Sequence, residues 1–99
     1  MRADRKKQLL GLANMRFSKS ELIAKTIEEM AELIVALNND NERKIVEEMA
    51  DVGLMLDQLV VTLGVSREEI DMVEDYKLKR LAGLLNGKGK KKSPNSKVT

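Results

Sequence analysis

At 99 residues, 42% apolar and 34% charged, the chain has the make-up of one small soluble domain, too short for two independent cores. It contains no cysteine and no histidine, which excludes disulfides, thiolate zinc sites, a cysteine nucleophile, Ser-His-Asp chemistry and a di-iron centre of the Glu-x-x-His kind. The formal charge of +2 hides an asymmetry: positions 86–99 hold five lysines and no acid, so the 13 basic and 16 acidic residues before them form a body of net −3.

Phe17 and Tyr76 are the only aromatics, so any core must be built from Leu, Ile, Val, Met and Ala. That palette suits helices packed on helices. Residues 3–14 read either as a short helix weakened by Gly11 or as a frayed lead segment. Ser18 followed by Glu21 is a capping box and predicts a helix start. Beyond it Leu22, Thr26, Glu29, Leu33 and Ala36 recur at steps of four and three, and Ile23, Ile27, Met30, Ile34 and Leu37 widen the apolar face. Asn38-Asn39-Asp40-Asn41 then breaks the helix.

A third helix is expected from about Asn41 or Glu42 to Leu63, stopped by Gly64. Ile45, Val52, Leu56, Leu59 and Leu63 lie on one side of it, Leu54 and Val61 on nearly the opposite side. A helix apolar on two faces needs two neighbours, which a small bundle supplies most simply by dimerising. Ser66 with Glu69 repeats the capping box and opens a fourth helix to about Asn86, with Ile70, Val73, Leu81 and Leu84 in line. The expectation is an all-α antiparallel bundle of about four helices over residues 1–86, completed by dimerisation or tetramerisation, with a basic disordered tail at 87–99. No apolar run reaches the roughly 18 residues of a membrane span, and the N-terminus lacks a signal-peptide core, so a cytoplasmic location is expected.

The chemistry concentrates between Glu28 and Asp51. Glu29 and Glu32 are three residues apart, as are Glu48 and Asp51, and the text EEMAEL is echoed by EEMAD. Residues three apart share a helix face, so two helices folded back on one another bring four carboxylates together. Glu29 also interrupts the line Leu22–Thr26–Leu33, Glu48 the line Ile45–Val52–Met55–Leu59, and Lys77 the line Ile70–Val73–Leu81–Leu84. An unpaired buried charge costs several kcal/mol, so three such interruptions mark a site. A buried ion pair between Lys77 and one glutamate explains part of the pattern. A divalent cation explains all four acids, and carboxylates without His or Cys favour Mg²⁺, with Mn²⁺ the alternative. Lys77 and Arg80, three apart, suit the anionic oxygens of a ligand. Glu68, Glu69, Asp71, Glu74 and Asp75 fit the N-terminal half of the fourth helix, and Asp57 and Glu42 read as solvated.

At these residues the chain resembles the MazG-like all-α nucleoside triphosphate pyrophosphohydrolases, which include the dCTP pyrophosphatases. Their EExxE, spacer, ExxD signature stands here as Glu28-Glu29-Met30-Ala31-Glu32, fifteen residues, then Glu48-Met49-Ala50-Asp51. The resemblance covers roughly residues 17–85. It implies Mg²⁺-dependent hydrolysis of a (deoxy)nucleoside triphosphate to monophosphate and pyrophosphate, in a dimer or tetramer. It further implies that Glu29, Glu32, Glu48 and Asp51 hold the metal, that Glu28 or Glu29 orients the water, and that Lys77 and Arg80 steady the phosphates. Phe17 stands near the family's aromatic position and Met55 one turn beyond Asp51, making them candidates for a base pocket. The chain departs from the family in lacking a glutamine just ahead of EExxE and in carrying glycine within ADVG. The competing readings are a non-catalytic helical adaptor, whose lysine tail touches nucleic acid, and a nucleotide sensor that binds without hydrolysis.

Overall fold

The computed structural model describes residues 2–87. Among them are four helices and no strand: α1 Arg2–Arg16, α2 Lys19–Asn38, α3 Glu42–Leu63 and α4 Arg67–Asn86. The lead segment is therefore a helix, carried through Gly11, with Asp4 in its first turn and Arg16 in its last, each favourably placed for the helix dipole. The lysine-rich tail lies beyond the described residues.

The punctuation works as its chemistry requires. Ser18 Oγ accepts from the Glu21 N–H at 3.1 Å, and Glu21 Oε1 accepts from the Ser18 N–H at 2.8 Å. Between α2 and α3 the chain reverses through Asp40, whose φ of 53° is in the left-handed region that short polar side chains tolerate. Asn41 then caps α3, its Oδ1 accepting from the Lys44 N–H at 3.1 Å. Gly64, at φ 67°, ends α3 with its N–H on Val60 O, and Ser66 caps α4 by accepting from the Glu69 N–H.

The chain forms two compact units, Met1–Val65 and Ser66–Thr99. In the first, α2 and α3 are an antiparallel hairpin and α1 lies against α3. Leu22, Thr26, Glu29 and Ala36 of α2 are buried, as are Glu48 and Gln58 of α3, with Leu33, Ile45, Val52, Met55 and Leu59 half-buried between them. This is the expected contact line, except that Leu56 and Leu63 leave it and are exposed. Gln58 ties α1 down: its Nε2 donates to Leu10 O at 3.0 Å and to Thr62 Oγ1 at 3.3 Å. Asp57, expected to be solvated, is half-buried and ion-paired with Lys6 of α1.

The opposite side of the hairpin is apolar and open. Ile27, Met30, Ile34 and Leu37 of α2 are exposed, as are Val46, Met49 and Leu56 of α3. Each of these lines is displaced by one residue from the contact line of its helix. In antiparallel helices that shared offset puts both on the same side. In the second unit α4 buries no residue, and Ile70 and Leu81 are its half-buried apolar positions. No helix among the described residues is long and apolar enough to cross a membrane.

Candidate metal and phosphate site

The hairpin places Glu29 and Glu48 where an aliphatic side chain belongs. Each follows the contact line at helical spacing, Leu22–Thr26–Glu29 on α2 and Ile45–Glu48–Val52 on α3, and so is carried inward by the packing of its neighbours. Glu29 is 8% exposed and Glu48 2%; Glu48 is the largest essentially enclosed side chain among the described residues. Thr26, beside Glu29, donates its hydroxyl to Leu22 O at 2.8 Å and offers the carboxylate nothing.

Three acids converge. One carboxylate oxygen from each of Glu29, Glu48 and Asp51 lies within 4.8 Å of the other two. Asp51 is exposed, so the cluster runs from the hairpin interior to its surface. Glu32 falls outside this trio and is exposed, but its negative charge reaches Glu48.

Each buried acid is half-satisfied. Lys25 Nζ lies 3.0 Å from Glu29 Oε2, and Lys44 Nζ 3.2 Å from Glu48 Oε2. The second oxygens, Glu29 Oε1 and Glu48 Oε1, are buried without a hydrogen-bond partner. Buried polar atoms are nearly always satisfied, so two orphans converging with a third carboxylate fit a positively charged group. The donor set is all oxygen and anionic, the chemistry of a hard divalent cation. Burial pushes the Glu48 carboxyl above its ordinary range; the Lys44 hydrogen bond opposes that, while the charge of Glu32 and the neighbouring Glu29 reinforce it. Lys25 and Lys44 are both held above the usual lysine value, first by their hydrogen bonds to Glu29 and Glu48.

Two clefts are lined in part by the lysines that pair with the buried acids. One, of about 400 Å³, is lined by Ala13, Phe17, Glu21, Leu22, Lys25, Met55 and Gln58, at the open end of the hairpin. It brings together Phe17 and Met55, paired by the sequence as a base pocket, and the Arg16 guanidinium lies 5.9 Å from the Phe17 ring centre. The other, of about 480 Å³, sits at the turn and is lined by Glu32, Val35, Ala36, Asn39, Asn41 and Lys44.

The remaining expected site residues have plainer surroundings. Glu28 is exposed and lies 3.6 Å from Lys25 Nζ. Lys77 and Arg80 are exposed on α4, so the interruption that Lys77 makes in its helix's apolar line does not mark a buried charge within that unit. Sequence reasoning missed Lys25 and Lys44. The signal was there: each stands four residues before a buried glutamate, the reach of a helical ion pair.

No curated protein and no solved structure matches the chain. The profile of a family described as phosphoribosyl-ATP pyrophosphohydrolase matches residues 4–74, well over half the chain. That span includes the four carboxylates, both lysines, Phe17 and Met55, and ends before Lys77 and Arg80. The chain belongs to the phosphoribosyl-ATP pyrophosphohydrolase family, within the MazG-like all-α nucleoside triphosphate pyrophosphohydrolases that its paired acidic motifs resemble.

Proposed function

We propose that the all-α domain of residues 1–86 hydrolyses the α–β phosphoanhydride of a nucleoside triphosphate, using a divalent cation, Mg²⁺ or Mn²⁺, held by Glu29, Glu48 and Asp51 with Glu32 beside them. The observation that carries this reading is the pair of orphaned oxygens, Glu29 Oε1 and Glu48 Oε1, set against Asp51 inside a packed hairpin. A bound cation supplies charge neutralisation at the phosphates and lowers the pKa of water. The protein's part is to position. A water oxygen adds to one phosphorus, the bridging P–O bond breaks, and the products are a monophosphate and pyrophosphate. Glu28, exposed beside the buried acids, orients that water and accepts its proton.

Phe17 and Met55 form the walls against which a base stacks, in a cleft whose volume falls at the lower end of small-ligand pockets, roughly 300–1,000 Å³. The substrate class includes phosphoribosyl-ATP, named by the family, as well as ordinary ribo- and deoxynucleoside triphosphates, because the reacting triphosphate is common to all.

The working form is a homodimer, or a tetramer built from dimers, located in the cytoplasm. The support is the exposed stripe of Ile27, Met30, Ile34 and Leu37 beside Val46, Met49 and Leu56, a continuous apolar surface of the kind that monomers rarely leave in water. A second hairpin seated on it completes a four-helix core, and leaves the acids on the other side free for substrate. An adaptor that only dimerises would use the stripe and have no need of the orphaned oxygens.

The test is to incubate the protein with Mg²⁺ and a panel of nucleotides, phosphoribosyl-ATP among them, and to resolve the products. Monophosphate with pyrophosphate, absent in Glu48→Gln, supports the reading. Release of orthophosphate, or no turnover of any nucleotide, contradicts it.

A further inference from the structure

The echo between the two acidic segments extends further than the carboxylates. Lys25-x-x-Glu28-Glu29-Met30-Ala31-Glu32 and Lys44-x-x-Glu47-Glu48-Met49-Ala50-Asp51 are identical at five of eight positions and exchange one acid for another at a sixth. The geometry repeats too. Lys25 lies 3.6 Å from Glu28 and 3.0 Å from Glu29; Lys44 lies 3.6 Å from Glu47 and 3.2 Å from Glu48. Both lysine side chains are 51% exposed, with each head at its buried acid. Because the helices run antiparallel, the repeat makes a pseudo-two-fold centre. Lys25 flanks it towards the open end of the hairpin and Lys44 towards the turn.

The surroundings break that symmetry. The cleft at Lys25 has walls from Phe17, Leu22 and Met55, while the cleft at Lys44 is bordered by Asn39 and Asn41, where α3 begins and its dipole is positive, together with Glu32, Val35 and Ala36. The Lys25 end therefore suits an apolar ring, and the more polar Lys44 end, with a carboxylate beside its lysine and amides, suits an anion that carries a cation.

We infer that Lys25 and Lys44 are substrate phosphate ligands with divided duties, Lys25 holding the phosphate that stays with the nucleoside and Lys44 the departing pyrophosphate. The inference rests on the pyrophosphohydrolase reading and adds to it a direction for the substrate along the hairpin. Without a cation the two ammonium groups are the counter-charges of Glu29 and Glu48. A cation held by Glu29 and Glu48 would supply the positive charge their carboxylates need, and each lysine head, on a flexible four-carbon stem beside its own cleft, would be free for another anion. Phosphate oxygens are then the nearest anions for it.

Two product-like probes separate the duties. With Mn²⁺ present, binding of inorganic pyrophosphate and of AMP is measured by calorimetry for wild type, Lys25→Met and Lys44→Met, with Lys→Arg at each position as the charge-retaining control. Lys44→Met is expected to weaken pyrophosphate roughly 10-fold or more and leave AMP within about 2-fold, and Lys25→Met to do the reverse, the loss of one charge-assisted bond in each case. The Arg variants recover most of the affinity. If both Met variants weaken both probes alike, or neither weakens either, the divided duties are wrong even where wild type still releases pyrophosphate from nucleotides. A wild type that binds neither probe and turns over no nucleotide removes the pyrophosphohydrolase reading and this inference with it. Should a Met variant fail to fold, Lys→Gln at that position decides: both probes bound as tightly as by wild type overturns the assignment.

Discussion

Lys44 reaches one turn along α3 to hold Glu48 Oε2 at 3.2 Å, while Glu48 Oε1 stays buried with no partner. A single lysine thus neutralises a side chain that is 2% exposed, and satisfies half of it. Removing that lysine leaves an uncompensated buried charge. Lys44→Met is expected to melt at a lower temperature than wild type without divalent cation, and to gain more from Mg²⁺, because the cation no longer competes with an ammonium. Thermal melts of both proteins with and without Mg²⁺ read this out, and equal shifts on adding Mg²⁺ speak against it.

Glu48→Gln tests the same position from the acid side. It removes a buried negative charge that is poorly matched in the cation-free protein, while keeping the side-chain shape. Activity should fall by about 100-fold or more, as expected for losing a metal ligand. Stability without cation should be unchanged or raised, the pattern of a site retained for function at some cost to the fold. A large drop in melting temperature would place Glu48 among the structural residues.

The pH dependence has an unusual sign. Glu48 is raised above the ordinary carboxyl value of 4.5, so the folded protein binds this proton more tightly than the unfolded chain does. Its contribution to cation-free stability therefore grows as pH falls through the raised value, opposite to a salt-bridged surface acid. Lys25 and Lys44 are raised above 10.5, so their contribution is complete below that pH and is lost as pH climbs past it. Denaturant titrations across pH are expected to lose the acid-side gain in Glu48→Gln and to soften the alkaline loss in Lys44→Met.

The exposed stripe makes a separate prediction. Ile34 is 60% exposed and Met49 59%, one on each helix of the apolar side. Placing a charge there, as in Ile34→Asp or Met49→Glu, should weaken self-association by roughly 100-fold, as for a central interface position. Sedimentation at a series of concentrations shows it. A wild type that remains monomeric at high concentration argues against the dimer.

How far the sequence could be read follows from which signals are local. Helix limits were legible because Ser18, Asn41, Gly64 and Ser66 act through bonds to residues three or four away, and the structure shows each of those bonds. The burial of Glu29 and Glu48 was legible because a charge in an apolar line stands out against helical spacing. Long-range detail was not. Asp57 reads as a solvated acid until α1 is folded against α3 and brings Lys6 to it. Leu56 reads as core because it is apolar, yet it falls a full 100° from Met55 and faces outward. Lys25 and Lys44 were hidden for a different reason: a lysine four residues from a glutamate is commonplace on exposed helices. Only the burial of its partner gives it meaning.

Mn²⁺ binding followed by electron paramagnetic resonance tests whether Glu29, Glu48 and Asp51 jointly hold a divalent cation. Saturable binding by the wild-type protein is expected, weakened roughly 10-fold or more by each of Glu29→Gln, Glu48→Gln and Asp51→Asn, in folded variants with no nucleotide present. Binding that survives all three substitutions unchanged, or no saturable binding by wild type, would contradict it.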